Sequence, residues 1–186
     1  MGYCIMTSKP TYLGLLNRIA NAEAEAECYL DAWAATTPRD DVRQIISTVA
    51  LREGEHGKAF AKRMCELGYA VEPPLTSTAA QRMPITSSTT LTDREKFEQL
   101  GFGKPGDPSK PDQFTEMFAD DTIDIQTGEL LGRYISEERD STRMFRACYE
   151  QLCAEGSNGL STEANGHNPF ARIEGLLEQL LARLPG

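Results

Sequence analysis

Only two histidines and one tryptophan occur in the chain, and none of its five cysteines form a Cys-x-x-Cys pair. The missing pair excludes a rubredoxin-type iron site and a zinc ribbon. Cys4, Cys28, Cys65, Cys148 and Cys153 are an odd number without paired spacing, and three of them fall in helical segments. They read as small hydrophobes in a reducing compartment. No apolar run approaches membrane-spanning length, and Met1 to Met6 lacks the apolar core of a signal peptide. Met6 also stands where a myristoylation pattern needs Ser or Thr. A cytoplasmic protein is expected. No basic cluster is visible in a chain of formal net charge -9, so nucleic acid and membrane surfaces are not expected partners.

Strand patterns are absent as well, and apolar residues instead recur at helical steps. The spacing of Tyr12, Leu16, Ile19, Glu23, Leu30 and Trp33 predicts a helix over Tyr12 to Thr36. Thr37-Pro38 ends it. A second helix runs from Pro38, taken as its first residue, to about Leu67, where Gly68 supplies the stop. A connection from about Ala70 to Asp121 follows, rich in Pro, Ser and Thr at its start. It holds a short helix over Asp93 to Leu100, led by the capping box Thr92-Asp93-Arg94-Glu95, then a turn-rich stretch over Gly101 to Pro111. Phe114, Met117 and Phe118 suggest another helical turn. A third long helix spans about Asp124 to Ala154, and Phe170 to Leu184 makes a fourth after a loop over 155–168. With 186 residues this is one all-α domain.

The chemistry concentrates in Leu51-Arg52-Glu53-Gly54-Glu55-His56. Glu53 and His56 are one turn apart and lie on the apolar stripe of their helix, with Val42, Ile46, Val49, Phe60 and Leu67. A carboxylate and an imidazole turned inward cost several kcal/mol each unless a cation or an ion pair compensates. From the Thr37-Pro38 turn, Glu23 lies about 14 residues back and Glu53 about 15 forward, so each sits roughly 21–23 Å along its helix. If the connection runs the length of the bundle, the third helix lies parallel to the second and Glu138 arrives at the same height, roughly 21 Å along. Glu137 competes with Glu138 for that place, since a modest rotation exchanges them. Glu25, Glu27 and Glu55 fall off the stripe and read as surface charge. The alternative is a buried Glu–His or Glu–Arg pair using Arg52 or Arg139, on a metal-free scaffold. Three carboxylates and one imidazole would favour Fe(II), Mn(II) or adventitious Zn(II), as one ion or two. Tyr29 and Tyr134 lie near the same level and read as core packing.

These residues resemble the ferritin-like superfamily, in particular its rubrerythrin-type branch. The likeness covers Tyr12 to Tyr69, where Glu23 matches the first-helix ligand and Glu53/His56 the Glu-x-x-His. It extends less fully over Asp124 to Leu152, where Glu138 looks like a single carboxylate ligand. The resemblance implies a four-helix bundle with a long crossover between the second and third helices, and iron or manganese as cofactor. It also implies oxidase or peroxidase-type redox chemistry supplied by an external electron donor, in what is expected to be a homodimer. A cage-forming iron store is a weaker version of the same reading. The second Glu-x-x-His is missing: Ser141 follows Glu138 by three, the other histidine, His167, lies near the far end, and the fourth helix brings Leu180, Leu181 and Leu184 to the site's height with Glu178 about two turns short.

Overall fold

The structure, a computed structural model, describes residues 9–103, 114, 117 and 119–158. Cys4, Phe118, His167 and the expected fourth helix over Phe170 to Leu184 lie outside the described residues. The chain divides after Ala154, and every contact below belongs to the first part. Among the described residues there are five helices and no strand: α1 (Leu13–Thr36), α2 (Asp40–Glu66), α3 (Thr78–Thr86), α4 (Asp93–Leu100) and α5 (Ile125–Asn158). The all-α reading holds for them. None of these helices is long and apolar enough to cross a membrane.

The first hairpin follows its sequence signals closely. Leu16, Ile19, Ala20, Ala26, Leu30 and Trp33 of α1 are buried, facing Val42, Ile46, Val49, Ala50 and Phe60 of α2. Thr37 turns extended, as a residue before proline prefers, and ends α1. Pro38 is not the first residue of α2, however. The extended residue Arg39 intervenes, and Asp40 and Asp41 make the first turn. The link is held from α2: Arg43 donates to the Ala34 and Thr37 carbonyls at 3.2 and 2.6 Å. At the other end Gly68 adopts φ 85°, a left-handed conformation that its lack of a Cβ permits. Gly68 and Tyr69 amides then close on the Cys65 and Met64 carbonyls, both at 2.9 Å.

Within the connection, α4 matches the expected bounds and carries the full capping box between Thr92 and Glu95. The helix α3 was not legible, because Ser, Thr and Pro84 weaken its local signal. Tertiary contacts supply what propensity lacks. Ser77 caps it, and Glu25 of α1 accepts from the Thr78 and Ala79 amides at 2.8 and 3.3 Å. Glu25 is therefore a capping group rather than idle surface charge. Both short helices dock at the hairpin end. Asp93 accepts from Trp33 Nε1 at 2.7 Å and Thr37 Oγ1 at 2.6 Å, while the buried Lys96 donates to Thr36 Oγ1 and the Thr86 carbonyl.

The direction of α5 corrects the expectation of a helix parallel to α2. Arg63 contacts Asp124, Gln126 and Thr127; His56 contacts Glu137; Arg52 contacts Asp140; Asp41 contacts Gln151. Residue numbers rise on α5 as they fall on α2, so the two are antiparallel. Along α1 both rise together, from Tyr12–Asp124 to Glu23–Tyr134. The connection visits the hairpin end with α3 and α4 and then returns, so that Thr11 meets Asp120 and Thr122 before α5 begins. Glu138 keeps its height nonetheless. It lies about thirteen residues into α5, near mid-bundle from whichever end the helix starts.

Two apolar clusters result. One gathers Leu30, Trp33, Ile46, Phe97 and Phe145 at the hairpin end; the other gathers Leu16, Phe60, Phe114, Leu131 and Tyr134 at the opposite end.

Candidate metal centre

Polar residues form a charged layer within this core. Glu23, Glu53 and His56 are only 7 %, 5 % and 4 % exposed, and Glu138 is partly buried beside them. One donor atom from each of the four lies within 4.8 Å of the others. Donors on opposite sides of a small ion are about 4–4.4 Å apart, given bonds of about 2.0–2.2 Å, so shifts of a few tenths of an ångström would close the group. The structure thus brings together all four residues singled out in the sequence, from three helices.

Close approach of α1 and α2 makes this possible. Next to His56, a Cβ added at Gly57 would meet the Ala24 amide nitrogen at 3.0 Å and the Ala20 carbonyl at 3.3 Å. A side chain there would push the backbones apart and open the layer.

His56 is held from both sides. Its Nε2 lies 2.7 Å from Glu137 Oε2, and Glu137 is in turn bonded by Arg133 Nε at 3.0 Å. Its Nδ1 faces Glu138 Oε1 at 3.4 Å and Glu53 Oε2 at 3.7 Å, separations typical of ion pairs without hydrogen-bond alignment. These three atoms (His56 Nδ1, Glu53 Oε2 and Glu138 Oε1) are buried without a hydrogen-bond partner. Their partners here are one another, at ion-pair rather than hydrogen-bond separations, and buried polar atoms so poorly satisfied mark a place for a further group. Glu23 is tied down by Tyr134, whose hydroxyl donates to Oε1 at 2.8 Å. The Tyr134 ring stands edge-on to His56 and Phe60.

The electrostatics follow from crowding of like charges. Burial pushes the Glu23 carboxyl up to about 10, reinforced by its hydrogen bond with Glu53 and by the charges of Glu53 and Glu138. Burial alone would lower His56, but Glu138, Glu53 and Glu137 outweigh it and raise the imidazole to about 10. Burial also raises Glu138, with His56 opposing. Burial acts upward on Glu53 too, yet its interactions with His56 and Glu23 leave it below the ordinary range. Burial is likewise overcome at Glu137, lowered by His56 and Arg133. Without a cation, a proton on Glu23 and a charged imidazole offset part of the layer's negative charge.

The choice between Glu137 and Glu138 dissolves, because both face His56, one at each ring nitrogen. Arg52 does not neutralise the buried layer; its guanidinium turns to Asp140 at 2.8 Å. Arg139 stacks over Phe114. Glu27 pairs with Lys58 at 3.1 Å, and Glu55 with Arg133 at 3.7 Å, both at the surface as expected. Ser141 is buried and lies 3.4 Å from Arg52. Tyr29, read as packing, accepts from Arg82 of α3 at 2.6 Å. The sequence offered no signal for Arg82, since the helix carrying it was itself invisible. Compared with known proteins, the chain matches no family model, no curated sequence and no solved structure.

Proposed function

We propose that this chain is a metalloprotein that holds a first-row divalent cation, iron or manganese, between Glu23, Glu53, His56 and Glu138. The observation that carries this reading is the convergence on one volume of three buried atoms that make no hydrogen bond. A cation would satisfy all three and remove the mutual repulsion of the carboxylates. Three oxygen donors and one nitrogen suit Fe(II) or Mn(II) better than thiolate-loving metals. Glu137 supports the fit, because a metal-binding histidine normally donates its other N–H to a carboxylate. That bond leaves the Nδ1 lone pair for the ion.

When bound, such an ion supplies redox chemistry with oxygen or peroxide, and the ferritin-like likeness of the ligand pattern favours an oxidase or peroxidase drawing on an external electron donor. The chain's own groups hold the ion and keep Tyr134 as a neutral donor to Glu23. The likeness is one of site chemistry. The third long helix runs opposite to the direction that a ferritin-like crossover implies. A cytoplasmic homodimer belongs to the same proposal.

Elemental analysis of protein purified without chelators tests it. About one or more equivalents of iron or manganese per chain, lost in Glu53→Gln and His56→Ala, is the expected result. Trace metal only, with no change in Tm on adding Fe(II) or Mn(II), would leave the metal-free scaffold in its place.

A further inference from the structure

A cavity of about 370 Å³ opens onto the charged layer. This is the small end of the usual range for ligand sites, about 300–1,000 Å³. Glu23, Glu53 and Glu138 form one wall, Phe102 and Phe145 contribute an apolar body, and Arg82 is the only basic residue among those lining it. Arg82 reaches it from α3, whose first turn Glu25 pins to α1. Its guanidinium stands over the rings of Tyr29 and Phe102, at 5.1 and 5.2 Å from their centroids, and donates to the Tyr29 hydroxyl. Among the described residues no carboxylate pairs with it. A guanidinium has five N–H donors in a planar fork, and one hydrogen bond to a phenol leaves most of them available.

We infer that this cavity binds a small organic monocarboxylate, with its carboxylate on Arg82 and its opposite end at the metal. The inference rests on the proposed metal centre and assigns its substrate class. Charge decides the orientation. The metal end already carries three carboxylates, so a further anion is disfavoured there and favoured at Arg82. Shape decides the anion. A planar carboxylate meets the guanidinium fork through two parallel bonds, and a phosphonate dianion would bring more negative charge towards Glu23, Glu53 and Glu138. The apolar walls then select a hydrocarbon or aromatic body over a polar one.

Calorimetry on protein loaded with Mn(II), its metal content measured first, tests the assignment. The probes are 3-phenylpropanoate, 3-phenylpropanamide and phenylphosphonate. Expected is binding of 3-phenylpropanoate, with the amide and the phosphonate at least about tenfold weaker. Arg82→Gln weakens the carboxylate by a similar factor while keeping full metal content, which also shows that the variant is folded. Arg82→Lys, which retains charge without the fork, falls between. Equal binding of acid and amide, undiminished binding to Arg82→Gln, or no binding to the loaded protein overturns the inference and leaves the metal centre standing. A chain that takes up no metal overturns both.

Discussion

His56 Nε2 meets Glu137 Oε2 at 2.7 Å, which turns Nδ1 towards the buried carboxylates. Glu137 therefore acts through His56, by fixing which ring nitrogen carries the proton. Replacing it as Glu137→Gln is expected to weaken metal binding by about 10–100-fold without abolishing it. Replacing Glu138 with Gln removes a donor outright and is expected to cost more. Competition titrations with a metal indicator compare the two; a Glu137→Gln protein with wild-type affinity would refute the assignment.

Glu23→Gln separates metal binding from folding. In the metal-free protein Glu23 is already neutral at pH 7, because burial and Glu53 push it up to about 10. Gln mimics that neutral acid, so the metal-free Tm should change little, by less than about 1 kcal/mol of stability. Metal affinity should nevertheless fall. Denaturant melts with and without added Mn(II) check both halves, and a large loss of metal-free stability would mean that Glu23 is charged.

The pH dependence has a definite sign. His56 is raised from 6.5 to about 10, so its contribution to metal-free stability is complete below pH 6.5 and is lost as pH rises towards 10. Glu23 is raised from 4.5 to about 10, so its neutral form favours folding most below pH 4.5, and that advantage also declines up to 10. A cation needs both groups deprotonated. The rise in Tm on adding Mn(II) should therefore grow from about pH 6 to 9, with protons released on binding. Scanning calorimetry across that range would show it; a rise in Tm that shrinks with pH would exclude these ligands.

Asp124 contributes to the acid limb. Against the upward push of burial, hydrogen bonds from Tyr12, Thr127 and Arg63 hold its carboxyl well below the ordinary 3.8. Such a depressed group stabilises the fold above about pH 4 and loses its contribution as pH falls through the folded value. Its Oδ1 also caps α5 through the Thr127 amide at 3.0 Å. Asp124→Ala is expected to cost about 1–2 kcal/mol at neutral pH, through the lost cap and through the loss of a partner for the buried Arg63, a pair that solvent screens only on its Asp124 side. Its acid transition should be shallower than the wild type's.

Gly57→Val tests the close approach of the first two helices. The added carbons meet α1 backbone, which cannot rotate away. A loss of about 1–3 kcal/mol is expected, together with weaker metal binding as Glu23 is drawn away from His56. Unchanged affinity with reduced stability would show that the layer tolerates wider spacing.

By itself the sequence determined the long helices and the inward turn of Glu23, Glu53, His56 and Glu138. Periodicity and rise per residue are local properties, and a mid-helix position has the same height from either end. Three things were decided only by tertiary structure. The course of the connection reversed α5, because docking of α4 on Trp33 and Thr37 depends on contacts far apart in the chain. Formation of α3 depended on a carboxylate from α1. Roles within the layer went to Glu137 on one ring nitrogen and Glu138 near the other, since a helix rotation of a few tens of degrees is invisible to spacing but decisive at hydrogen-bond range.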